Sequence, residues 1–316
     1  MTALRSGSPA RIGTSRRVST ETRRAGVGFL MALPPIVLLA VFVGFPVLLA
    51  IGFTFGFTGG LNSTIAAIGT GTRTATTWFG TVAAYGDVFS DPRFFRDLGV
   101  TLAVTAISTA VTLVVSVALA LNLRLRGGRL ASVFVGLAVV PMFIPVVIAS
   151  WAILTFYASD GFLRTLLIHV GISAPIWGYT TTGVVIGSIW TSLPFATLMA
   201  TSGIQAVPDA MIEAARDAGA STRAVIARVL IPMAGTPLVI AGTFTAIGVI
   251  GSFTVPYFIG PNAPSMLGVD ISSYFQSYNR PQESVVMAVI VFLMASGIAV
   301  FYVWANFRTA KKEGRV

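Results

Sequence analysis

Between Gln205 and Pro232 the chain places a proline and a carboxylate, Pro208-Asp209, ahead of an apolar series, Met211, Ile212, Ala214, Ala215 and Ala218, and then Gly219. Pro208 stiffens the approach, the Asp209 carboxylate suits an N-cap, and Gly219 can take the left-handed conformation that ends a helix. Ser221 or Thr222 can cap a second helix that runs through Val225, Ile226 and Val229 and stops before Pro232. At 28 residues the stretch is too long for a simple connection and too apolar for disorder. Its chemistry is docking: a short amphipathic helix held by a tight turn fits a partner's groove, and the helical pattern alone allows a lipid surface equally.

Other chemistry-bearing residues are sparse. Thr101, Thr105, Ser108, Thr109, Thr112 and Ser116 share one helical face, where they could line a polar pathway or let helices pack closely. Trp151, Tyr157 and Trp190 could stack on a ligand or anchor at a lipid interface. With no cysteine and the single His169, there is no material for a metal site or a thiol nucleophile. No nucleophile, base and orienting group can be assembled, so no catalytic residue is assigned. The only lysines, Lys311 and Lys312, lie near the C-terminus, and no phosphate-cradling glycine loop precedes a lysine, so the chain has no ATP site of its own.

These residues must be positioned by a membrane body. Of 316 residues, 55% are hydrophobic and 10% charged, which excludes an ordinary soluble domain, and the basic residues avoid long apolar runs, which argues against a nucleic-acid-binding surface. Six stretches contain no Asp, Glu, Lys or Arg: 28–57, 98–122, 130–157, 181–204, 233–255 and 284–307. Each can cross a bilayer as a helix, which takes roughly 20 apolar residues. Lys and Arg divide 16 to 5 between alternate connections, so both termini and residues 205–232 are expected on the cytoplasmic side. Residues 1–27 read as a mobile cytoplasmic tail rather than a cleaved signal, 28–307 as the six-helix body, and 308–316 as a second cytoplasmic tail. The spans hold no acid, lysine or histidine to relay protons, so the drive comes from elsewhere or the pathway is passive.

The run Glu213-Ala214-Ala215-Arg216-Asp217-Ala218-Gly219-Ala220, with Pro232 thirteen residues beyond Gly219, resembles the EAA loop of permease subunits of binding-protein-dependent ABC importers. Where the family usually ends the loop with Ile-x-Leu-Pro and places a Phe in the second helix, this chain has Val229-Leu230-Ile231-Pro232 and Ile226. Tyr85, Asp91-Pro92, Thr101, Pro141, Pro145, Trp151, Trp190, Leu193-Pro194, Gly203 and Pro208 extend the likeness, while Val100 stands where an Asn is customary. The resemblance implies the type I importer permease fold: an all-α membrane protein with six transmembrane helices and a cytoplasmic helix–turn–helix coupling loop, in a prokaryotic inner membrane. It implies two ATPase subunits, which bind the ATP and Mg that this chain does not, a second permease expected to be a related chain, and an extracytoplasmic solute-binding protein. In that scheme Glu213 holds the ATPase contact, Ala214 and Ala215 allow close approach, Gly219 forms the turn, and Asp217 and Pro232 complete the motif.

For the solute, Gly251-Ser252-Phe253-Thr254-Val255-Pro256-Tyr257-Phe258-Ile259-Gly260, followed by Pro261-Asn262 and Met266-Leu267-Gly268, resembles polyamine-type permeases more than sugar-type ones, which usually carry a Gly-Gly-Pro stretch here. The expected function is ATP-driven import of a polyamine-like solute by alternating access. A sugar-type importer and an ATP-independent carrier or channel are the alternatives; the last predicts flux from this chain alone.

Overall fold

The computed structural model describes residues 15–173, 175–261 and 264–312. They form helices joined by turns and irregular loops, with no strand among them. Residues 1–14 of the expected N-terminal tail, Asn262 of the solute-linked segment, and residues 313–316 lie outside the described residues; from Ser15 onward the chain is helix.

The chain forms two units, Met1–Gly52 and Phe53–Val316. In the first, α1 (Ser15–Leu39) carries Pro34 and Pro35 inside it and passes through a π-helical turn, Ala40–Gly44, into α2 (Phe45–Thr54), whose last two residues belong to the second unit. Pro46 has no N–H for the carbonyl one turn back, and the widened turn just upstream lets the helix continue.

The second unit opens with two short helices, α3 (Ser63–Ile68) and α4 (Ala83–Phe89). The 34-residue α5 (Pro92–Leu125) follows, started by an Asp91 cap whose carboxylate accepts from Arg93 N and by Pro92 in the first turn. At about 1.5 Å per residue it is about 50 Å long. The third uncharged stretch, expected as one span, is broken. After α6 (Gly128–Val139), Pro141 lies in a 3₁₀ turn and Pro145 precedes α7 (Val146–Tyr157), because neither proline can extend the hydrogen-bond ladder. Beyond α8 (Phe162–His169) comes α9 (Thr181–Gln205), which tolerates Pro194 in its interior.

Residues 209–233 form α10 (Asp209–Asp217), α11 (Thr222–Val225), a π-helical turn at Ile226–Leu230 and α12 (Ile231–Met233). Here too the wide turn sits just upstream of a proline, Pro232. The segment Thr222–Met233 is bent by 71° from α13 (Gly235–Ile250). The chain then breaks at Gly251 and continues as α14 (Thr254–Ile259), α15 (Leu267–Gln276) and α16 (Pro281–Lys312). Among the described residues, five segments are long and apolar enough to cross a membrane, and a sixth is counted if the bent pair is one span.

Three buried clusters hold the second unit together. At the 205–232 end, Ala120, Ala200, Ile204, Val207, Ile212, Val225, Leu230 and Ala234 pack together. In the middle lie Val104, Ile153, Val184, Val249, Val255, Ile259 and Met266, and at the opposite end Ala84, Val88, Phe94, Leu267, Tyr274, Val286, Met287 and Val291. Among their buried members only α5 contributes to all three, through Ala120, Val104 and Phe94. Its main neighbour is α9, and α9 in turn meets α13 closely: a Cβ on Gly203 would stand 2.7 Å from Pro237 Cβ.

Candidate functional site

The loop at 205–232 is the helix–turn–helix expected from sequence. On α10, Ile212 is buried and Ala215 half-buried against the apolar cluster beneath, while Glu213, Ala214 and Asp217 face outward. Ala215 therefore serves the chain's own packing, and Glu213 and Ala214 stay exposed. Gly219 has φ +80° and donates from its N–H to Arg216 O at 2.8 Å, and Ala220 N reaches back to Ala215 O at 3.0 Å. This is the glycine-closed helix end that spacing predicted. Ser221, rather than Thr222, caps the second helix, accepting from Ala224 N at 3.3 Å. Pro232 lies exposed in α12.

Asp209 does not cap α10 as expected. Pro208 occupies the cap position, and the Asp209 carboxylate instead accepts from Arg124 Nη2 at 2.6 Å, a nitrogen that also donates to Val207 O at 2.7 Å. The ion pair competes successfully because a charged partner outweighs a local backbone N–H.

The hydroxyl ladder of α5 is sealed inside the helix packing. Thr101, Ser108 and Thr112 have no exposed surface and Thr105 very little. Thr101 Oγ1 accepts from Leu267 N at 2.9 Å, and Ser116 bonds Thr197 across the α5–α9 contact at 3.1 Å. Close packing is the role these contacts give the ladder. Trp190 lines an apolar cavity of about 380 Å³ with Tyr157, Ile148 and Phe156, whereas Trp151 is half exposed beside Phe258.

A groove lined by hydroxyls and apolar side chains together lies elsewhere, between α9 and α13. Two adjoining cavities of about 340 and 210 Å³ share Ser192 and Gly248; the first adds Ser188, Thr191, Ser252 and Thr254, the second Phe195, Phe244 and Thr245. Ser188 Oγ and Thr245 Oγ1 are buried and without a hydrogen-bond partner. The same holds for Ser108 Oγ and Thr112 Oγ1 on α5, so the lack of a partner does not by itself mark a ligand contact. The lining side chains carry no charge. Ser188, Thr191 and Ser192 do share one face of α9 at i, i+3 and i+4, a signal the sequence reading did not use; Thr245 joins them only through the fold.

The end opposite the loop carries a buried charge network. Arg93 donates to Asp270 at 2.8 Å and to Tyr278 OH at 3.0 Å; Asp97, fully buried, accepts from Ser265 N at 3.2 Å; Tyr274 OH donates to Asp91 at 2.6 Å. That hydrogen bond holds the Asp91 carboxyl below the usual range, while burial and then Asp91 push the Tyr274 hydroxyl up. Burial, then the hydrogen bond and charge of Asp97, raise the Asp270 carboxyl to about 7 against the pull of Arg93.

A family model described as the binding-protein-dependent transport system inner membrane component matches residues 112–311. The chain belongs to that family. This inner membrane component is 30% identical over 226 residues to the spermidine/putrescine transport system permease protein PotB of Haemophilus influenzae, covering 70% of this chain and 78% of that one. It is 26% identical to the trehalose/maltose transport system permease protein MalF of Thermococcus litoralis, over 89% of this chain and 93% of the relative. In fold it matches a bacterial ABC transporter involved in import of the acidic polysaccharide alginate, with TM-score 0.71 at 16% identity, over 92% of this chain and 99% of that one. The architecture is that of a type I ABC importer permease, and the family is a membrane permease rather than an enzyme.

In this permease the Asp270 carboxyl, which ordinarily ionises near pH 4, is kept neutral by the fold up to about pH 7. Its contribution to stability is complete below about pH 4 and is lost as pH rises through about 7. Asp91, shifted the other way, acts only in acid below that window. Thermal midpoints of the purified permease should therefore fall as pH rises from about 4 to about 7, and Asp270→Asn, which mimics the neutral acid, should flatten that slope; an equally steep slope in the variant would overturn the assignment.

Proposed function

We propose that this ABC importer permease subunit moves a small, uncharged, hydroxylated solute, of the sugar class, through the groove between α9 and α13. The observation that carries the reading is the neutral groove itself, where Ser188, Thr191, Ser192, Thr245 and Thr254 lie among Phe195, Phe244 and Phe253. Hydroxyls pair with such side chains and the apolar faces of a sugar ring suit the aromatics. A polycation would find no carboxylate there. This favours the alternative over the polyamine expected from Gly251–Gly260. Polyamine transport remains the second reading, supported by the 30% identity to PotB.

In this reading residues 205–232 and both termini face the cytoplasm. Glu213, Ala214 and Asp217 present α10 to one of two ATPase subunits, which hold ATP and Mg, and the Gly219 turn keeps the helix rigid against its own core. A second permease, a related chain, closes the groove, and an extracytoplasmic solute-binding protein delivers the solute. Rigid-body motion of the loop then opens the groove to alternate sides.

The complete complex in proteoliposomes, given ATP inside and its binding protein outside, should take up labelled disaccharide, and Ser188→Phe should cut uptake about tenfold or more by filling the groove. Uptake of labelled spermidine but not of sugars would replace the solute assignment with the second reading. Flux through this chain alone would sink the importer reading itself.

A further inference from the structure

We propose that Arg124 is a positioning residue that ties the coupling loop to α5, and that α5 carries loop motion to the opposite end of the permease as a single strut. The proposal rests on the importer reading, and adds to it the route by which movement crosses the protein.

Three observations support it. First, Arg124, at the last turn of α5, is only 14% exposed and joins Val207 and Asp209 through one nitrogen. It thus grips both the backbone before α10 and the first side chain of α10, so α10 cannot shift without drawing on α5. Second, α5 is one unbroken helix of 34 residues with no proline after Pro92, and it is built into all three buried clusters. A helix of this kind moves as a body because bending it would open packed cores. Third, the far end of α5 is fastened as firmly as the near end. Asp91, Arg93, Asp97 and Thr101 bond Tyr274, Asp270, Ser265 N and Leu267 N, all within the segment 265–278 that follows the break at Gly251. The fastening points on α5 lie about 35–50 Å apart by helix rise, and α5 bonds to both segments.

The test compares hydrogen–deuterium exchange of the complex isolated with its ATPase subunits, with and without ATP plus vanadate, in wild type, Arg124→Ala, Asp209→Asn and the charge swap Arg124→Asp/Asp209→Arg. In wild type, vanadate trapping should change exchange at 209–219 and at 265–278. Arg124→Ala should retain the first change and lose at least half of the second; Asp209→Asn should lose less, because Val207 O still accepts; the swap should restore part of it. A purely structural arginine would loosen both segments alike and gain nothing from the swap. A full response at 265–278 in Arg124→Ala overturns the proposal. Should that variant fail to assemble, an undiminished response in Asp209→Asn overturns it as well. A wild type that responds at 209–219 but not at 265–278 also overturns it. A wild type silent at both segments instead removes the importer reading.

Discussion

Gly219→Pro is expected to abolish solute uptake by the assembled transporter while the chain still inserts in the membrane. Proline fixes φ near −65° and has no N–H, whereas Gly219 sits at φ +80° and donates to Arg216 O. Losing that conformation and that bond costs roughly 3 kcal/mol, about a hundredfold in the population of the native turn. Gly219→Ala provides the control. Its Cβ would meet nothing within 4 Å, so only the left-handed backbone is strained, by about 1–2 kcal/mol, and partial uptake should persist. Equal uptake by wild type and the proline variant at matched expression would show that α10 is not held by this turn.

The second large effect is expected from Gln282→Leu, read as thermal stability in detergent. Gln282 is 1% exposed and uses its whole amide: Nε2 donates to Phe53 O at 2.9 Å and to Arg73 O at 3.0 Å, and Oε1 accepts from Arg73 N at 2.6 Å. Leucine fills a similar volume but strands Arg73 N and Arg73 O, each worth about 1–3 kcal/mol when left unpaired and buried, while Phe53 O keeps its bond from Gly56 N at 3.0 Å. Arg73 is partly reachable by water, so a total loss on the order of 2–4 kcal/mol is expected rather than the full sum. A loss below about 1 kcal/mol would mean that water replaces the amide at both groups.

What the sequence revealed depended on how local the cause was. The spans were legible because a bilayer excludes charge over some twenty consecutive residues, and the turn at Gly219 because its geometry is set within five residues. Pro141 and Pro145 were visible as residues, yet the break between α6 and α7 was not drawn, since a proline in a membrane helix is often accommodated, as Pro194 is in α9. Asp97 was overlooked because it stands one residue upstream of an uncharged run and finds Ser265 168 positions away. Arg124 was counted only as part of a basic loop; its partners at Val207 and Asp209 are 83 and 85 positions distant. The hydroxyl stripe on α5 read as pathway or packing alike, and contacts with Thr197 and Leu267 N, invisible along the chain, decide for packing. The groove residues Ser188, Thr191 and Ser192 share one face of α9, but their meeting with Thr245 of α13 is a tertiary contact that no spacing along the chain encodes.

The long reach of Asp97 also bears on biogenesis. When α5 leaves the ribosome and partitions into the bilayer, the backbone N–H that its buried carboxylate will accept from has not been synthesised, and some 170 further residues must follow before Ser265 arrives. Until then Asp97 has only Arg93 and Arg96 of its own helix as partners, so this end of α5 reaches its final pairing late in synthesis.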